Sequence, residues 1–333
     1  MARIKFVHTY EHIISIENLL LAWQEFLRGK KMRKDVLEFG RNLMSNVIAL
    51  HKELNARMYK HSDYHAFNIS DPKPRNIHKA SVRDRLLHHA LYRQLYLFFD
   101  CTFISDSYSC RIDKGTHKAI ERFKEFSYKV SKNNTRTVWI LKCDIKKFFA
   151  SVDHEILIKI LTDYIPDNNI INLLVTIIIS FYSTEKGKGL PLGNLTSQLL
   201  VNIYMNEFDQ YIKHKLKAKY YIRYADDFVI LSEDKKYLEN LLLDISKFLE
   251  TKLKLLLHPD KVSIKNLASG VDFLGWVHFP HHRVVRTSTK KRMFINLKNN
   301  NYKEESVISY IGILSHGNTY KLQRNIDFLN NKL

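Results

Sequence analysis

Asp226 and Asp227 stand side by side between two short apolar runs, Tyr220-Tyr221-Ile222 and Phe228-Val229-Ile230-Leu231. The flanks are β-branched and aromatic, so they suit two half-buried strands joined by a tight acidic turn with both carboxylates at its tip. Two carboxylates so close repel each other, and a divalent cation is the simplest agent that lets both ionise. Asp is also ordinary turn chemistry, so the pair by itself leaves a plain hairpin open. A second acidic position upstream removes that alternative. Val138 to Cys143 is a largely apolar run, long enough for a buried strand, and it ends on Asp144. Two-metal phosphoryl transfer needs oxygen ligands from separate parts of a chain, holding cations roughly 3.5–4 Å apart. Magnesium fits, because carboxylates, water and substrate phosphates form its preferred shell.

The elements around these residues must bring the two acidic positions together. Residues 10–27 carry apolar side chains at helical spacing and end in the charge run Arg28-Gly29-Lys30-Lys31-Met32-Arg33-Lys34; residues 35–58 repeat the pattern. Pro72 and Pro74 force extended backbone before a core helix spanning Asp84 to Asp100. After the strand ending in Asp144, Asp153 is a natural N-cap for a helix through Tyr164, which Pro166 stops. A helix over about 168–182 precedes the segment Lys186-Gly187-Lys188-Gly189, and helical spacing returns from Thr196 to Lys217. Beyond the acidic hairpin, residues 235–253 read as an amphipathic helix, with short strands expected near 255 and 271 and a basic helical segment from Arg283 onward. Strand, helix, hairpin, helix and strand in this order predict an α+β fold with an antiparallel sheet backed by helices.

Composition narrows the partners. A 333-residue chain with 45% hydrophobic and 12% aromatic residues buries a substantial core and is not disordered. Its formal net charge of +19 points to a polyanion, because Lys and Arg contacts to phosphates supply most non-specific nucleic-acid affinity. Three scattered cysteines, Cys101, Cys110 and Cys143, form no Cys-x-x-Cys pair and predict a reducing, cytoplasmic compartment. No apolar run approaches a membrane span of roughly 18 residues, and the N-terminus predicts no signal peptide.

Motifs then carry a family resemblance. Asp144-Ile145-Lys146-Lys147-Phe148-Phe149, Leu192-Gly193-Asn194-Leu195-Thr196-Ser197-Gln198 and Tyr224-Ala225-Asp226-Asp227 resemble motifs A, B and C of reverse transcriptases, in that order. Leu257-His258-Pro259-Asp260-Lys261 resembles motif D, and Gly270-Val271-Asp272-Phe273-Leu274-Gly275 resembles motif E. Motif B narrows the likeness: Leu192-Gly193 with Ser197-Gln198 is similar to the reverse transcriptases of diversity-generating retroelements, whereas retron and group II intron enzymes usually carry Gln-Gly and Ser-Pro there.

The resemblance implies a right-hand polymerase, with an N-terminal helical extension over 1–60, fingers and palm over 61–280 and a helical thumb over 281–333. It implies catalytic carboxylates Asp144, Asp226 and Asp227, and metal binding by these three with Ile145. The metals are two magnesium ions, which manganese can replace. Nucleotide binding is expected at Lys73, Arg75, Phe149, Leu192, Gly193, Gln198 and Lys261. Phe149 stands where the family places a steric gate against a 2′ hydroxyl, and Lys261 matches a proton donor to pyrophosphate or a phosphate contact. Leu192 replaces a Gln that contacts nucleotide and template, an exchange that weakens discrimination. Arg286, Lys290, Lys291 and Arg292 are the expected nucleic-acid grip. The implied partners are template and primer RNA, the cDNA, a dNTP and a small basic oligomeric accessory protein, with no membrane. In that family a template-repeat RNA is copied into cDNA with errors opposite adenines. A retron or group II intron type enzyme, or a catalytically silent RNA-binding relative, are the competing readings. Ser197-Gln198 and the short C-terminal part weigh against the first, and the intact carboxylates against the second.

Overall fold

Side-chain oxygens set the first helix starts. In the computed structural model, which describes residues 4–70 and 74–330 and only the backbone of 327–330, Thr9 accepts from the His12 N–H and Ser15 from the Asn18 N–H. These caps open α1 (Tyr10–Ile14) and α2 (Ile16–Phe26), and α3 (Lys34–Arg41) and α4 (Leu43–Asn55) follow. A hairpin of β1 (His65–Ile69) and β2 (Arg75–Lys79) pairs Phe67 with Ile77. Ser81 then caps α5 (Val82–Asp100) through the Asp84 N–H, and α5 turns Leu87, Leu91 and Leu95 inward. The N-terminal helices are continuous with the rest of the molecule. Their buried Ile13, Leu19, Phe26 and Leu50 share one core with Leu86, Leu91 and Phe99 of α5.

A four-stranded antiparallel sheet carries the acidic residues. It is built from β3 (Trp139–Asp144), β4 (Tyr221–Tyr224), β5 (Asp227–Ser232) and β6 (Ser263–Asn266), in the spatial order β4-β5-β3-β6. One face is backed by helices. There Leu141, Cys143, Tyr221, Phe228 and Ile230 pack into the main core with α8 (His154–Tyr164), α9 (Asn168–Ile179), α10 (Leu195–Gln210) and α11 (Lys235–Leu253). The other face carries Ile140, Ile222, Val229 and Leu231 against α6 (Thr116–Val130), with Phe123 and Phe126, and against β7 (Val271–Phe273). Strands covered on both faces read as continuous apolar runs, as β3 and β5 do. A short helix, α7 (Phe148–Ser151), follows β3.

Beyond the sheet, β7 pairs with β8 (Trp276–His278), which pairs with β9 (Arg283–Val285). α12 (Thr287–Asn299), α13 (Glu304–Leu314) and α14 (Tyr320–Asn330) then form a small separate core around Met293, Leu297, Val307, Leu314 and Ile326. Among the described residues no helix is long and apolar enough to cross a membrane.

Several expected boundaries hold: Asp153 caps α8 through the Ile156 N–H, and α11 covers 235–253. Others shift. The expected strand near 255 is replaced by an isolated bridge from Leu257 to Ile145 and a 3-10 turn at Pro259–Lys261, and the strand itself is β6. Pro259 explains the shift, because it lacks an N–H for a ladder and pre-sets the turn. The expected helix to Lys217 gives way after Gln210 to a π-helical turn, Tyr211–Lys215, in which Ile212 stays buried.

Candidate active site

Strand register brings the acidic residues together. β3 and β5 run antiparallel with Asp144 directly opposite Asp227, and the Ile145 N–H donates to the Asp226 carbonyl at 3.2 Å. Cross-strand partners share a face, so Asp144 and Asp227 both end the face that carries Lys142 and Val229. The turn differs in one respect from the sequence expectation. Tyr224 pairs with Asp227, which leaves Ala225 and Asp226 as the turn residues and makes Asp227 the first residue of β5. Ala225 has φ +56°, a conformation that suits a tight hairpin and is costly for a residue with a Cβ.

That turn is held from behind by a buried network that sequence reasoning did not foresee. Arg223 is fully buried on the helix-backed face and forks onto Asp209 of α10, Nε to Oδ1 at 2.8 Å and Nη2 to Oδ2 at 2.6 Å. The same guanidinium donates to Asn202 at 3.2 Å, to Ser107 at 3.0 Å and to the Ala225 carbonyl in the turn at 3.1 Å. Tyr221 completes the carboxylate's shell by donating to Asp209 at 2.7 Å. A basic residue in an apolar strand that returns to a helix Asp was the available signal.

Burial and mutual repulsion govern the charges. The Asp227 carboxyl is pushed up to about 7 by burial, opposed by Lys142 and reinforced by Asp144, Asp226 and Asp272. Asp226 is also raised, by burial first and by Asp144, with Lys261 and Arg75 opposing. Lys261, in the 3-10 turn, donates to Asp144 Oδ1 at 2.9 Å, and Lys142 stands 3.8 Å from Asp227 Oδ2. Asp227 Oδ1 is buried with no hydrogen-bond partner. Two carboxyls that resist ionising, one of them with an orphaned oxygen, fit a divalent cation, whose charge would reverse both penalties. Among the described residues no three His, Cys, Asp or Glu side chains already converge at ligand spacing.

The other expected residues fall at different distances from this centre. Phe148 is buried in the main core, while Phe149, its ring 5.6 Å away and tilted by 72°, is only partly covered. Ile145 is buried, and its neighbour Lys146 donates from its backbone to Leu256. Arg75 opens β2, exposed, and its charge reaches Asp226. Lys73 lies outside the described residues. In motif B the Leu192 carbonyl accepts from the His78 N–H at 3.0 Å, tying motif B to the β1–β2 hairpin. Gly193 has φ +108°, and a Cβ there would meet Ile77 at 2.8 Å, so the close approach requires glycine. Gln198 is half-buried on α10. Lys290 and Lys291 are exposed on α12 and Arg292 is half-buried, whereas Arg286 is committed to an ion pair with Asp272 of β7.

The sheet, its acidic turn and the flanking helices define the right-hand polymerase fold, and solved structures agree. Telomerase from Candida albicans, in complex with a fragment of telomeric RNA, matches 70% of this chain and 48% of its own, with TM-score 0.51 and 11% identity. Telomerase from Candida tropicalis matches 73% and 60%, with TM-score 0.52 and 14% identity. Residues 61–278 match the reverse transcriptase (RNA-dependent DNA polymerase) family, and the chain belongs to that family. Among curated proteins it is 27% identical to protein YkfC of Escherichia coli over 258 residues, 66% of each chain. It is 23% identical to the putative COX1/OXI3 intron 2 protein of Saccharomyces cerevisiae, covering 33% of that protein. The group II intron-encoded protein LtrA of Lactococcus lactis is 24% identical over 63% of this chain and 44% of its own. The chain thus spans between a third and two thirds of these relatives.

Proposed function

We propose that the chain is an RNA-directed DNA polymerase in which Asp144 and Asp226 would hold two magnesium ions and Asp227 would support them. The observation that carries this reading is the register that sets Asp144 opposite Asp227, with Asp226 in the adjoining turn. When bound, the metals supply charge neutralisation to the attacking and leaving oxygens. The chain's own residues position the reactants. The partly covered Phe149 ring disfavours a ribose 2′ hydroxyl, Gly193 lets motif B pack closely on Ile77 of the β1–β2 hairpin, and Lys261 would be free to meet phosphate if a cation displaced it from Asp144. Arg75 contacts the triphosphate in this reading, a role the family resemblance also gives to Lys73. Lys290, Lys291 and Arg292 on α12 grip the template and primer, with Arg286 bracing α12 against β7.

Motif B supports a diversity-generating retroelement as the setting, in which a template-repeat RNA is copied with errors opposite adenine and a small basic oligomeric accessory protein assists. The similarity to LtrA and to yeast intron proteins favours an intron-type enzyme as the second reading. Primer extension on an RNA template, with the accessory partner supplied, tests the activity. Metal-dependent DNA synthesis by the wild type, lost in Asp226→Ala, is the expected result; no synthesis by the wild type refutes it. Sequencing the product separates the settings, since errors concentrated opposite adenine favour the first and an even error spectrum favours the second.

A further inference from the structure

Helices α12 to α14 share no apolar core with the four-stranded sheet. Among the described residues their cluster, Met293, Leu297, Val307, Leu314 and Ile326 with Val285 packed beside it, contains nothing earlier than β9. The chain enters this unit by one crossing, from β9 into α12, where Arg286 is tied to Asp272. A unit joined at one crossing can pivot there, so its angle depends on whatever second contact it makes with the rest of the molecule.

That second contact is the turn between α13 and α14, and it is largely polar. Arg283 of β9 reaches both sides of it: Nη2 donates to Glu121 Oε1 of α6 at 2.7 Å, and Nε donates to the His316 carbonyl in the turn. The Arg283 carbonyl accepts from the Asn318 N–H at 2.8 Å, and its guanidinium lies over the Trp276 ring, 5.6 Å from the centroid. The His316 ring lies against that of His117 on α6, with centroids 3.9 Å apart. Gly317 sits flat on Trp276, where a Cβ would overlap the indole. Beside these contacts a cavity of about 440 Å³ remains between α6, the β8–β9 hairpin and the turn, lined by Phe123, Phe279 and Asn318 among others. Close packing therefore does not lock the joint.

We infer that Arg283 is a positioning residue for DNA synthesis: joined to Glu121 and to the His316 carbonyl, it latches the α12–α14 unit to α6, and release of this latch lets the unit swing away from the sheet. The Arg283 side chain is 15% exposed and that of Glu121 57%, so the pair is open to water on one side. Such a pair shifts an equilibrium on the order of two- to fivefold, which biases the joint without fixing it. Lys290 and Lys291 are exposed on α12, and opening carries them away from template and primer. The closed latch thus holds the nucleic acid through successive additions, and the open one releases it. The consequence for synthesis rests on the polymerase reading; the latch itself does not.

Hydrogen exchange of the full chain, without nucleic acid, nucleotide or metal, reads the latch directly. Glu121→Ala, at an exposed position of α6, and Arg283→Gln should each speed exchange in peptides spanning 313–320 about two- to fivefold. The double variant should exchange no faster there than Arg283→Gln alone, because both substitutions remove one interaction. Peptides from β3 and α5 should keep their wild-type rates. Primer extension on RNA with an excess of unlabelled primer and template as trap then reads the positioning role. The DNA made per binding event should shorten by a similar factor, while the rate of adding the first nucleotide stays that of the wild type. Unchanged exchange at 313–320 in both single variants, or faster exchange spread equally over β3 and α5, overturns the latch. Faster exchange at 313–320 with products of wild-type length overturns the positioning role. A wild type that makes no DNA overturns the polymerase reading and with it the positioning role, whereas the exchange result still decides the latch.

Discussion

Removing Arg223 should loosen the acidic turn and the fold together, and the geometry sets the size of the effect. The buried guanidinium makes five hydrogen bonds, two of them to Asp209, and Arg223→Met would leave that carboxylate with Tyr221 as its remaining partner in the network. Breaking a buried pair from one side costs about 3–5 kcal/mol, a large share of a total stability of about 5–15 kcal/mol. Replacing both partners by apolar residues is often close to neutral. The double variant Arg223→Met with Asp209→Leu should therefore recover most of the loss, with about 1–2 kcal/mol outstanding for the orphaned Tyr221 hydroxyl and the freed Ala225 carbonyl. Urea denaturation of both singles and the double gives the coupling directly. In the refolded double variant the turn has lost its tether, so primer extension should require more magnesium than in the wild type. A single variant within 1 kcal/mol of wild type, or a double as unstable as the sum of the singles, would refute the reasoning.

Other consequences are equally open to measurement. Phe149→Ala should admit ribonucleotides, read as the ratio of rNTP to dNTP incorporation, while Phe148→Ala, in the core, should chiefly lower stability by about 3–5 kcal/mol. Leu192→Gln should reduce errors opposite template adenines; an unchanged error spectrum removes Leu192 from the fidelity argument. The raised Asp227 carboxyl, up to about 7 against an ordinary 3.8, favours the folded state only when protonated. Stability without metal should thus fall as pH rises from about 4 to 7, by up to about 1.4 kcal/mol per unit. Asp227→Asn in EDTA should be more stable than wild type at pH 8 and lose that advantage toward pH 4, and a gap independent of pH would count against the burial of this carboxyl.

The parts of the site that sequence revealed are those with a local signature. An apolar run ending on Asp144 and two runs flanking Asp226 are of strand length and bounded by carboxylates, so β3 and β5 were legible without the fold. Motif B was legible through its resemblance to the family, and the φ of +108° at Gly193 gives a physical reason for its glycine. What escaped depends on distant partners. Arg223 reads as an ordinary polar residue in a strand until Asp209, 14 positions earlier, is placed beside it. β6 was displaced from 255 to 263 because Pro259 diverts the chain into a turn, and that same turn delivers Lys261 to Asp144. α6 keeps helical spacing in Ala119, Phe123, Phe126 and Val130, with charged residues interleaved on its outer face. The N-terminal helices looked like an extension, and only their common core with α5 shows them to be part of the main body.

Manganese binding, followed by electron paramagnetic resonance on the chain with RNA template, primer and a non-hydrolysable dNTP, tests the central claim most directly. Two bound ions in the wild type, with binding lost in Asp226→Asn and weakened in Asp144→Asn at unchanged RNA affinity, is the predicted result. Two ions retained at full affinity in both variants would place the metals elsewhere and contradict the assignment of this acidic turn.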